Sequence, residues 1–356
     1  LKQGPAERWF ELPDDLVAAE PPEARGIERD EVRLLVASPG GMQHVRFRDL
    51  ADFLAAGDIL VVNTSATLPA AVDGRRAGTP VVVHFSSPVG DGRWSIELRA
   101  ADASRPLFDA VRGEVVDLAA GARAEVVATS GAQGHSRMVT AFISVEGAVE
   151  DYLARAGRPI AYSYMRGRWP LAMYQTVFAT EPGSAEMPSA GRPFSAELVT
   201  SLIARGVAFA PIVLHAGVSS LERDETPLPE RFSVPATTAR ALNAARAAGN
   251  RVVAVGTTVA RAVETAADDV GVVRAAAGWT RLVLTPERPA RIIDGLITGW
   301  HAPDASHQLL LQAVAGRELV DRAYRAALQQ RYLWHEFGDA CLFLREVANP
   351  KLLRVS

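Results

Sequence analysis

The feature that most constrains this chain is a change of grammar along its length. From about Val81 to Val145 the apolar residues come in short, alternating, β-branched runs: VVVHF at 81–85, WSIELRA at 94–100, AEVVAT at 124–129 and MVTAFISV at 138–145. Gly, Pro, Asp and Ser separate them, and no helical period lies between, so a small antiparallel barrel or sandwich is expected. After about Ser184 the pattern becomes helices followed by apolar strands, which predicts an α/β layer domain. Ser195 opens a helix through Ala204 with Gly206 just beyond it, and VAFAPIVLH at 207–215 follows as a buried strand. Thr237 or Thr238 is expected to cap a second helix that stops at Gly249-Asn250, with RVVAVG at 251–256 as a strand parallel and next to the first. Asp304 is expected to cap a helix to about Ala315, Glu318 to Gln330 forms another, and ACLFL at 340–344 returns as a strand. GDILVVN at 57–63 reads as a buried strand of the same layer. The expected fold class is α/β: an α/β layer domain made of residues 1–70 and 150–356, with a small antiparallel β-barrel domain inserted at 71–149.

Residue usage then removes several chemistries. The one cysteine, Cys341, forms no internal disulfide and no thiolate-ligated zinc or iron–sulfur centre. Of 38 basic residues only Lys2 and Lys351 are lysines, which argues against a Walker-type phosphate loop and a pyridoxal Schiff base. The formal net charge of −3 gives no overall polybasic footprint for nucleic acid. There is no G-x-G-x-x-G after a strand, no G-x-S-x-G elbow and no histidine pair at metal-ligand spacing, so no metal is expected. No apolar run approaches the roughly 18 residues of a membrane helix, and LKQGPAERWFELP lacks a signal-peptide core, so a cytoplasmic protein without membrane contact is expected.

In an open α/β sheet, ligands collect at the carboxyl ends of strands, where loops and helix N-termini present unpaired amides. Asn63-Thr64, His215-Ala216-Gly217, Gly256-Thr257-Thr258, Trp300-His301 and Phe337-Gly338-Asp339 all fall at such positions, and Met187-Pro188-Ser189-Ala190-Gly191 leads into the Ser195 helix. Each has an ordinary structural explanation. Thr257-Thr258 reads as a helix cap, His215 as a bonded strand-end residue, Arg261 and Glu264 as a solvated ion pair three residues apart, Asp339 as a turn cap and Glu230 as a surface carboxylate.

Taken together they carry a resemblance. YQTVFA (174–179), P-G (182–183), P-S-A-G (188–191), VLHAGV (213–218), GNRVVAVGTTVARAVET (249–265), GLITGWHAPDAS (295–306) and FGDACLFL (337–344), with GDILVVNTSATLPAAVDGRR (57–76) upstream, resemble the S-adenosylmethionine:tRNA ribosyltransferase-isomerase family of queuosine biosynthesis. The resemblance implies an α/β domain carrying an inserted barrel. It also implies that S-adenosylmethionine is a substrate whose ribosyl carbons are donated, with release of adenine and methionine, and that no metal takes part. The family's acceptor is the aminomethyl group of a 7-deazaguanine base at the tRNA wobble position, and the product is epoxyqueuosine. The sulfonium acidifies the adjacent C5′ protons, so a positioned base starts the reaction. His215 or Glu230 is the expected base, with His301 assisting adenine departure or orienting the ribose. Asn63, Pro188, Ala190, Gly191, Gly217, Gly256, Thr257, Thr258, Arg261, Glu264, Trp300, Phe337 and Asp339 are the expected substrate-binding positions.

Departures from the family pattern cluster around one pocket. Ala66 stands where the family has an arginine, and Pro193 and Leu228 stand where it has histidines. Ser219, Ser220 and Leu221 depart in the segment after Gly217, Ala302, Asp304 and Ala305 depart in the segment after His301, and a glutamate is missing near the first barrel strand. On that ground the expected function is an adenine-releasing enzyme acting on a non-standard acceptor or on the opened ribose itself, with tRNA not the preferred partner. The family's own tRNA modification is the alternative, and a non-catalytic S-adenosylmethionine or RNA binder the third reading. Arg75, Arg76, Arg166 and Arg168 are the expected lining of a tRNA groove, if one exists.

Overall fold

The computed structural model describes residues 10, 12–129, 137–218, 228–301 and 307–345. The chain first lays down β1 (Arg33–Ser38), β2 (Gly41–Arg46) and β3 (Ile59–Asn63), then a short β4 (Ser65–Thr67) that leads out of the sheet. A closed six-stranded antiparallel barrel follows. Its strands are β5 (Ala71–Arg76), β6 (Thr79–Gly90), β7 (Arg93–Ala100), β8 (Val115–Leu118), β9 (Arg123–Thr129) and β10 (Met138–Ser144), in the order β10-β7-β6-β5-β8-β9. Alternate residues such as Val83, Phe85, Ile96, Leu98, Val126 and Val139 fill its interior. Helix α1 (Val149–Ala156) and β11 (Glu181–Ser184) bring the chain back. Because β11 pairs in parallel with β4, the outgoing and returning connectors are zipped together at the mouth of the barrel.

The rest of the chain supplies α2 (Ala196–Ala204), β12 (Ala208–Leu214), β13 (Glu230–Val234), α3 (Ala236–Ala247), β14 (Val252–Val255), α4 (Thr257–Thr265) and β15 (Ala276–Thr280). It ends with β16 (Gly295–Gly299), α5 (His307–Ala315), α6 (Arg317–Gln329) and β17 (Ala340–Leu344). The nine-stranded sheet runs β15-β13-β12-β3-β14-β16-β17-β1-β2. Strand β3 is buried along its whole length. Ile59 and Val61 point into one apolar cluster with Ile212, Val259 and Leu311, while Leu60 and Val62 point into the opposite one with Phe194, Leu202 and Val253. That two-sided burial is why the segment reads as a continuous apolar run rather than an alternating one.

Several details differ from the sequence-based expectations. Strands β12 and β14 are parallel but not adjacent, since β3 lies between them with Val61 opposite both Ala210 and Ala254. The N-cap of α3 is Pro235, so Thr237 and Thr238 lie inside the helix, where the Thr238 hydroxyl donates to the Pro211 carbonyl at 2.6 Å. Gly316 caps α6, and α5 is described from His307, so the expected Asp304 cap lies outside the described residues. Barrel strands β5 and β8 were not among the expected runs, because Asp73-Gly74-Arg75-Arg76 and Val115–Leu118 are too short or too polar to show an alternating pattern. Ser195 does cap α2, its hydroxyl oxygen accepting from the Leu198 amide at 3.1 Å. Among the described residues no helix is long and apolar enough to cross a membrane.

Candidate functional site

Strands β12, β3, β14 and β16 all run the same way, so their carboxyl ends open on one edge of the sheet. Strand β17 runs opposite to β16 with Ala340 across from Gly299, which brings the residues before Ala340 to the same edge. Asn63, His215 to Gly217, Gly256 to Thr258, Trp300-His301 and Phe337 to Asp339 therefore converge. The Pro188 to Gly191 turn joins them: a β-carbon on Gly256 would sit 3.4 Å from the Ala190 methyl. Gly256 itself has φ +99°, a conformation other residues rarely adopt. It is the N-cap of α4, with no side-chain capping bond, so Thr257 and Thr258 begin the helix instead of capping it. Helix α4 starts directly after β14, and the amides of a helix's first turn have no intrahelical partners, a position that suits a ligand's oxygen or ring-nitrogen acceptors.

His215 is held from two sides. Its Nδ1 lies 2.8 Å from the Ser65 hydroxyl, which is in turn 2.6 Å from the Ser184 hydroxyl, while Ser184 accepts from the Ala216 amide at 3.0 Å. Gly183 is packed against the ring so closely that a β-carbon there would fall 2.3 Å from Nδ1. Burial, assisted by Arg231, keeps the imidazole below its ordinary pKa, so it is neutral at physiological pH with Nε2 as the remaining nitrogen. Gly217 is equally constrained, since a β-carbon would lie 2.6 Å from the Ser86 hydroxyl of barrel strand β6. That close approach, with the Val218 amide donating to Ser86 at 2.9 Å, joins the barrel to the site.

Glu230 is not a surface carboxylate. It is largely buried at the start of β13 and ion-paired with Arg261, whose Nε also donates to the Leu282 carbonyl at 3.1 Å. Burial raises its pKa more than Arg261 and the Gly217 amide lower it, which makes it a stronger base than an ordinary glutamate. The expected Arg261–Glu264 ion pair is absent. Glu264 instead accepts from the amides of Arg291, Ile292 and Ile293 at 2.9, 2.7 and 3.2 Å, pinning the approach to β16. His301 is stacked on His307 with centroids 4.3 Å apart and planes 8° apart, and its Nε2 lies 3.2 Å from the Thr298 hydroxyl. Burial and the neighbouring imidazoles His307 and His335 hold His301 well below its ordinary pKa, and burial with Arg261 nearby takes His307 down to about 4. Both rings are neutral, and they can accept or relay a proton but do not carry a resting charge.

Other expected binding residues frame the cleft rather than offer it a free group. The Asn63 side chain ties β3 to β12, donating to the Leu214 carbonyl at 2.8 Å and accepting from the Leu214 amide at 3.0 Å. Asp339 accepts from the Arg33 amide and guanidinium and from the Leu333 amide, all within 3.0 Å. Trp300 is buried among Tyr324, Tyr332 and Trp334, and Phe337 packs edge-on to Tyr174 under the Arg192 guanidinium. Among the described residues no group of three or more His, Cys, Asp or Glu side chains is arranged to hold a metal ion.

A family model described as queuosine biosynthesis protein matches residues 7–343. The chain belongs to that family. Relatives within reach include the S-adenosylmethionine:tRNA ribosyltransferase-isomerase of Pelotomaculum thermopropionicum, 35% identical over 94% of this chain and 97% of that protein. The protein of the same name from Symbiobacterium thermophilum is 36% identical over 94% of this chain and 98% of its own length. The crystal structure of S-adenosylmethionine tRNA ribosyltransferase from Thermotoga maritima is similar with a TM-score of 0.52 and 27% identity, covering 94% of this chain and 99% of that one. The α/β domain with an antiparallel barrel is thus the fold of a queuosine biosynthesis family member.

The family motifs did not single out everything that lines this edge. Ser65 lies inside the 57–76 segment and Ser184 directly follows Gly183, yet neither is among the expected site residues, because the folded connectors alone bring their hydroxyls to His215. A cavity of about 310 Å³ lies between the barrel and the returning connector, lined by His84, Arg158, Tyr162, Arg168, Trp169 and Tyr174 among others. Of the four arginines expected in a groove, Arg168 lines this cavity. Arg76 is committed to Glu114 and Asp109, and Arg75 Nη1 donates to the Gly78 carbonyl at 3.0 Å. Behind His84 sits Glu97, a fully buried carboxylate in the barrel wall directly opposite His84 in the strand register. It supplies a barrel glutamate, one strand later than the position where one was missed in the sequence.

Proposed function

We propose that this chain is an S-adenosylmethionine-dependent transferase and isomerase that modifies tRNA. In this reading it transfers the ribosyl carbons of S-adenosylmethionine to the aminomethyl group of a wobble-position 7-deazaguanine, releasing adenine and methionine and leaving epoxyqueuosine. The observation that carries it is the convergence, at one sheet edge, of the same segments whose order along the chain resembles the family. The non-standard acceptor expected from Ala66, Pro193 and Leu228 is set aside in favour of tRNA. Relatives that match from end to end are named for tRNA, and the cavity beside the site is lined by Arg168 and Trp169, a cation and a ring suited to phosphate and base, next to Arg158, which pairs with Asp73 at 2.7 Å.

In this assignment residues 1–70 and 150–356 form the donor-binding unit, and the 71–149 barrel closes one wall of the acceptor cavity. The donor lies against Gly256, Thr257 and Thr258, below the Pro188, Ala190 and Gly191 turn. Glu230 or His215 removes the C5′ proton made acidic by the sulfonium. Glu230 has the raised basicity such a step needs, and neutral His215 has a free nitrogen. In this reading neutral His301, stacked on His307, steers the departing adenine. A tRNA substrate puts this work in the cytoplasm.

The test is adenine release, followed by chromatography, from S-adenosylmethionine alone and with tRNA bearing the aminomethyl-deazaguanine. Strong stimulation by that tRNA, with the epoxyqueuosine mass in its anticodon, is expected. Release at the same rate without tRNA would overturn the tRNA reading in favour of another acceptor, and no release in either case would leave a binder. Within the active enzyme, His215→Ala and Glu230→Gln are expected to lower the rate by about 100-fold or more if each moves a proton. Wild-type rates in both would remove the proton-transfer assignment.

A further inference from the structure

The cavity between the barrel and the returning connector is lined by three polar side chains that the proposed proton transfers do not use: His84 from β6, Trp169 and Tyr174. His84 and Tyr174 are only 1% and 2% exposed. His84 Nε2, Trp169 Nε1 and the Tyr174 hydroxyl are each buried with no hydrogen-bonding partner among the described residues. Unmet polar atoms inside a protein are costly, and three such side chains around one cavity of about 310 Å³ are the pattern of a pocket whose ligand supplies the missing bonds. The volume is at the lower end of small-molecule pockets, which suits a single base better than a nucleoside carrying a methionine arm.

The character of each group narrows that ligand. An indole N–H only donates, a tyrosine hydroxyl does either, and a neutral imidazole donates at one nitrogen and accepts at the other. Burial keeps His84 below its ordinary pKa against the pull of Glu97, so the ring is neutral at physiological pH. Glu97 Oε2 lies 3.3 Å from Nδ1, an ion-pair contact outside hydrogen-bond geometry, and Glu97 is held ionised with Arg99 and Arg137 at 2.9 and 2.8 Å. A fixed negative charge on that side favours the proton on Nδ1 and leaves the lone pair on Nε2. His84 is therefore an acceptor, Trp169 a donor and Tyr174 the adaptable third. With the tyrosine accepting, the set complements a guanine-type edge, whose ring N–H and amino group donate and whose carbonyl oxygen accepts. The pocket also adjoins the proposed reaction site. Ser86, two residues along β6 from His84 and so about 7 Å of chain away, accepts the Val218 amide and packs on Gly217, whose amide in turn serves Glu230.

We propose that His84, Trp169 and Tyr174 recognise the guanine-type edge of the acceptor base, with His84 Nε2 accepting from its ring N–H and Trp169 Nε1 donating to its carbonyl oxygen. The inference rests on the tRNA-modifying reading, and its test is separable from that reading. Calorimetry of the full chain is run with two free bases, 7-aminomethyl-7-deazaguanine and its 2,6-diamino analogue. The analogue keeps the ring and the amine but turns the ring N–H into an acceptor and the carbonyl into an amino donor. The wild type is expected to prefer the first base by about tenfold or more, since the analogue leaves both the imidazole and the indole unpaired. His84→Gln carries an amide that can turn either its oxygen or its nitrogen to the ligand, so it should bring the two bases to within about threefold of each other. S-adenosylmethionine affinity should stay within about twofold in that variant. Trp169→Phe, which removes the N–H and keeps a ring, should weaken the preference severalfold and serves if His84→Gln does not fold.

Equal binding of the two bases by the wild type, or binding of neither, overturns the proposal. So does a preference that survives both variants, and so does a weakening of both bases alike with their ratio unchanged, which is what a purely structural role of His84 would give. Turnover of tRNA by the wild type is read separately. Turnover without an edge preference refutes the pocket alone, and an edge preference without turnover refutes the tRNA reading alone.

Discussion

Glu97 in the barrel and Glu336 at the sheet edge are both carboxyls inside the protein, and their surroundings push them in opposite directions. Burial opposes ionisation of Glu97, but His84, Arg137 and Arg99 together outweigh it and bring its pKa down to about 2. The contacts are direct: Arg99 Nη1 and Arg137 Nη1 lie 2.9 and 2.8 Å from its oxygens, and His84 Nδ1 lies 3.3 Å away. Around Glu336 burial and the nearby Glu186 carboxyl act in the same direction, and its pKa rises to about 8. The first arrangement gathers His84 of β6, Arg99 of β7 and Arg137 just before β10 on one carboxylate in the barrel wall. In the second, Glu336 Oε2 is buried with no hydrogen-bond partner among the described residues, and ionisation there is disfavoured.

The comparison is most exposed to failure at Glu97. Glu97→Gln removes the buried carboxylate that Arg99 and Arg137 share, which should cost about 3–5 kcal/mol and lower Tm by on the order of 10 °C. The sign with pH follows from its depressed pKa. The stabilisation is fully present above the ordinary glutamate range and is lost as pH falls through about 2, so the wild type and the variant should converge in stability in strong acid. Denaturation curves in which the variant matches the wild type at neutral pH would mean the ion cluster is not what holds the barrel.

Glu336→Gln should do the reverse. A carboxyl with a raised folded-state pKa contributes stability below the unfolded value that disappears as pH rises to about 8. The variant should therefore equal the wild type near pH 4 and exceed it at pH 8, by up to about 4 kcal/mol. A wild-type advantage at pH 8 in urea unfolding would show that Glu336 has a structural partner after all. Gly183→Ala probes an intermediate case, the half-buried imidazole of His215. The new methyl would overlap the ring, so a loss of about 1–3 kcal/mol is expected together with a fall in adenine release larger than the change in Tm accounts for. Unchanged activity would mean that the ring position set by Gly183 and Ser65 does not matter to the chemistry.

The sequence was most legible where a residue's role depends on its own neighbours in the chain. The β-branched alternation of 81–145 places four of six barrel strands, the Ser195 cap and the Gly206 and Gly249 stops bound their helices, and the all-apolar run before Asn63 marks the central strand. The strand-end rule then points to His215, Gly256 and His301 without any contact being known. What the chain order concealed was partnership. Arg261 answers Glu230, 31 positions away, and not Glu264, three away, because both Arg261 and Glu230 stand at the sheet edge while Glu264 turns to the loop before β16.

By itself, then, the sequence determined which segments become strands and helices, that a barrel interrupts an α/β layer, and which loops lie at the carboxyl ends of strands. Those are consequences of local periodicity, capping and turn chemistry, which are written in consecutive residues. Only the tertiary structure decided that β3 lies between β12 and β14, that Ser65 orients His215 across 150 positions, and that Arg261 pairs with Glu230 at the start of β13. Each of these depends on strand order and on the return of the chain from the barrel, and the electrostatic state of a buried group is set by whatever that path brings within a few ångströms of it.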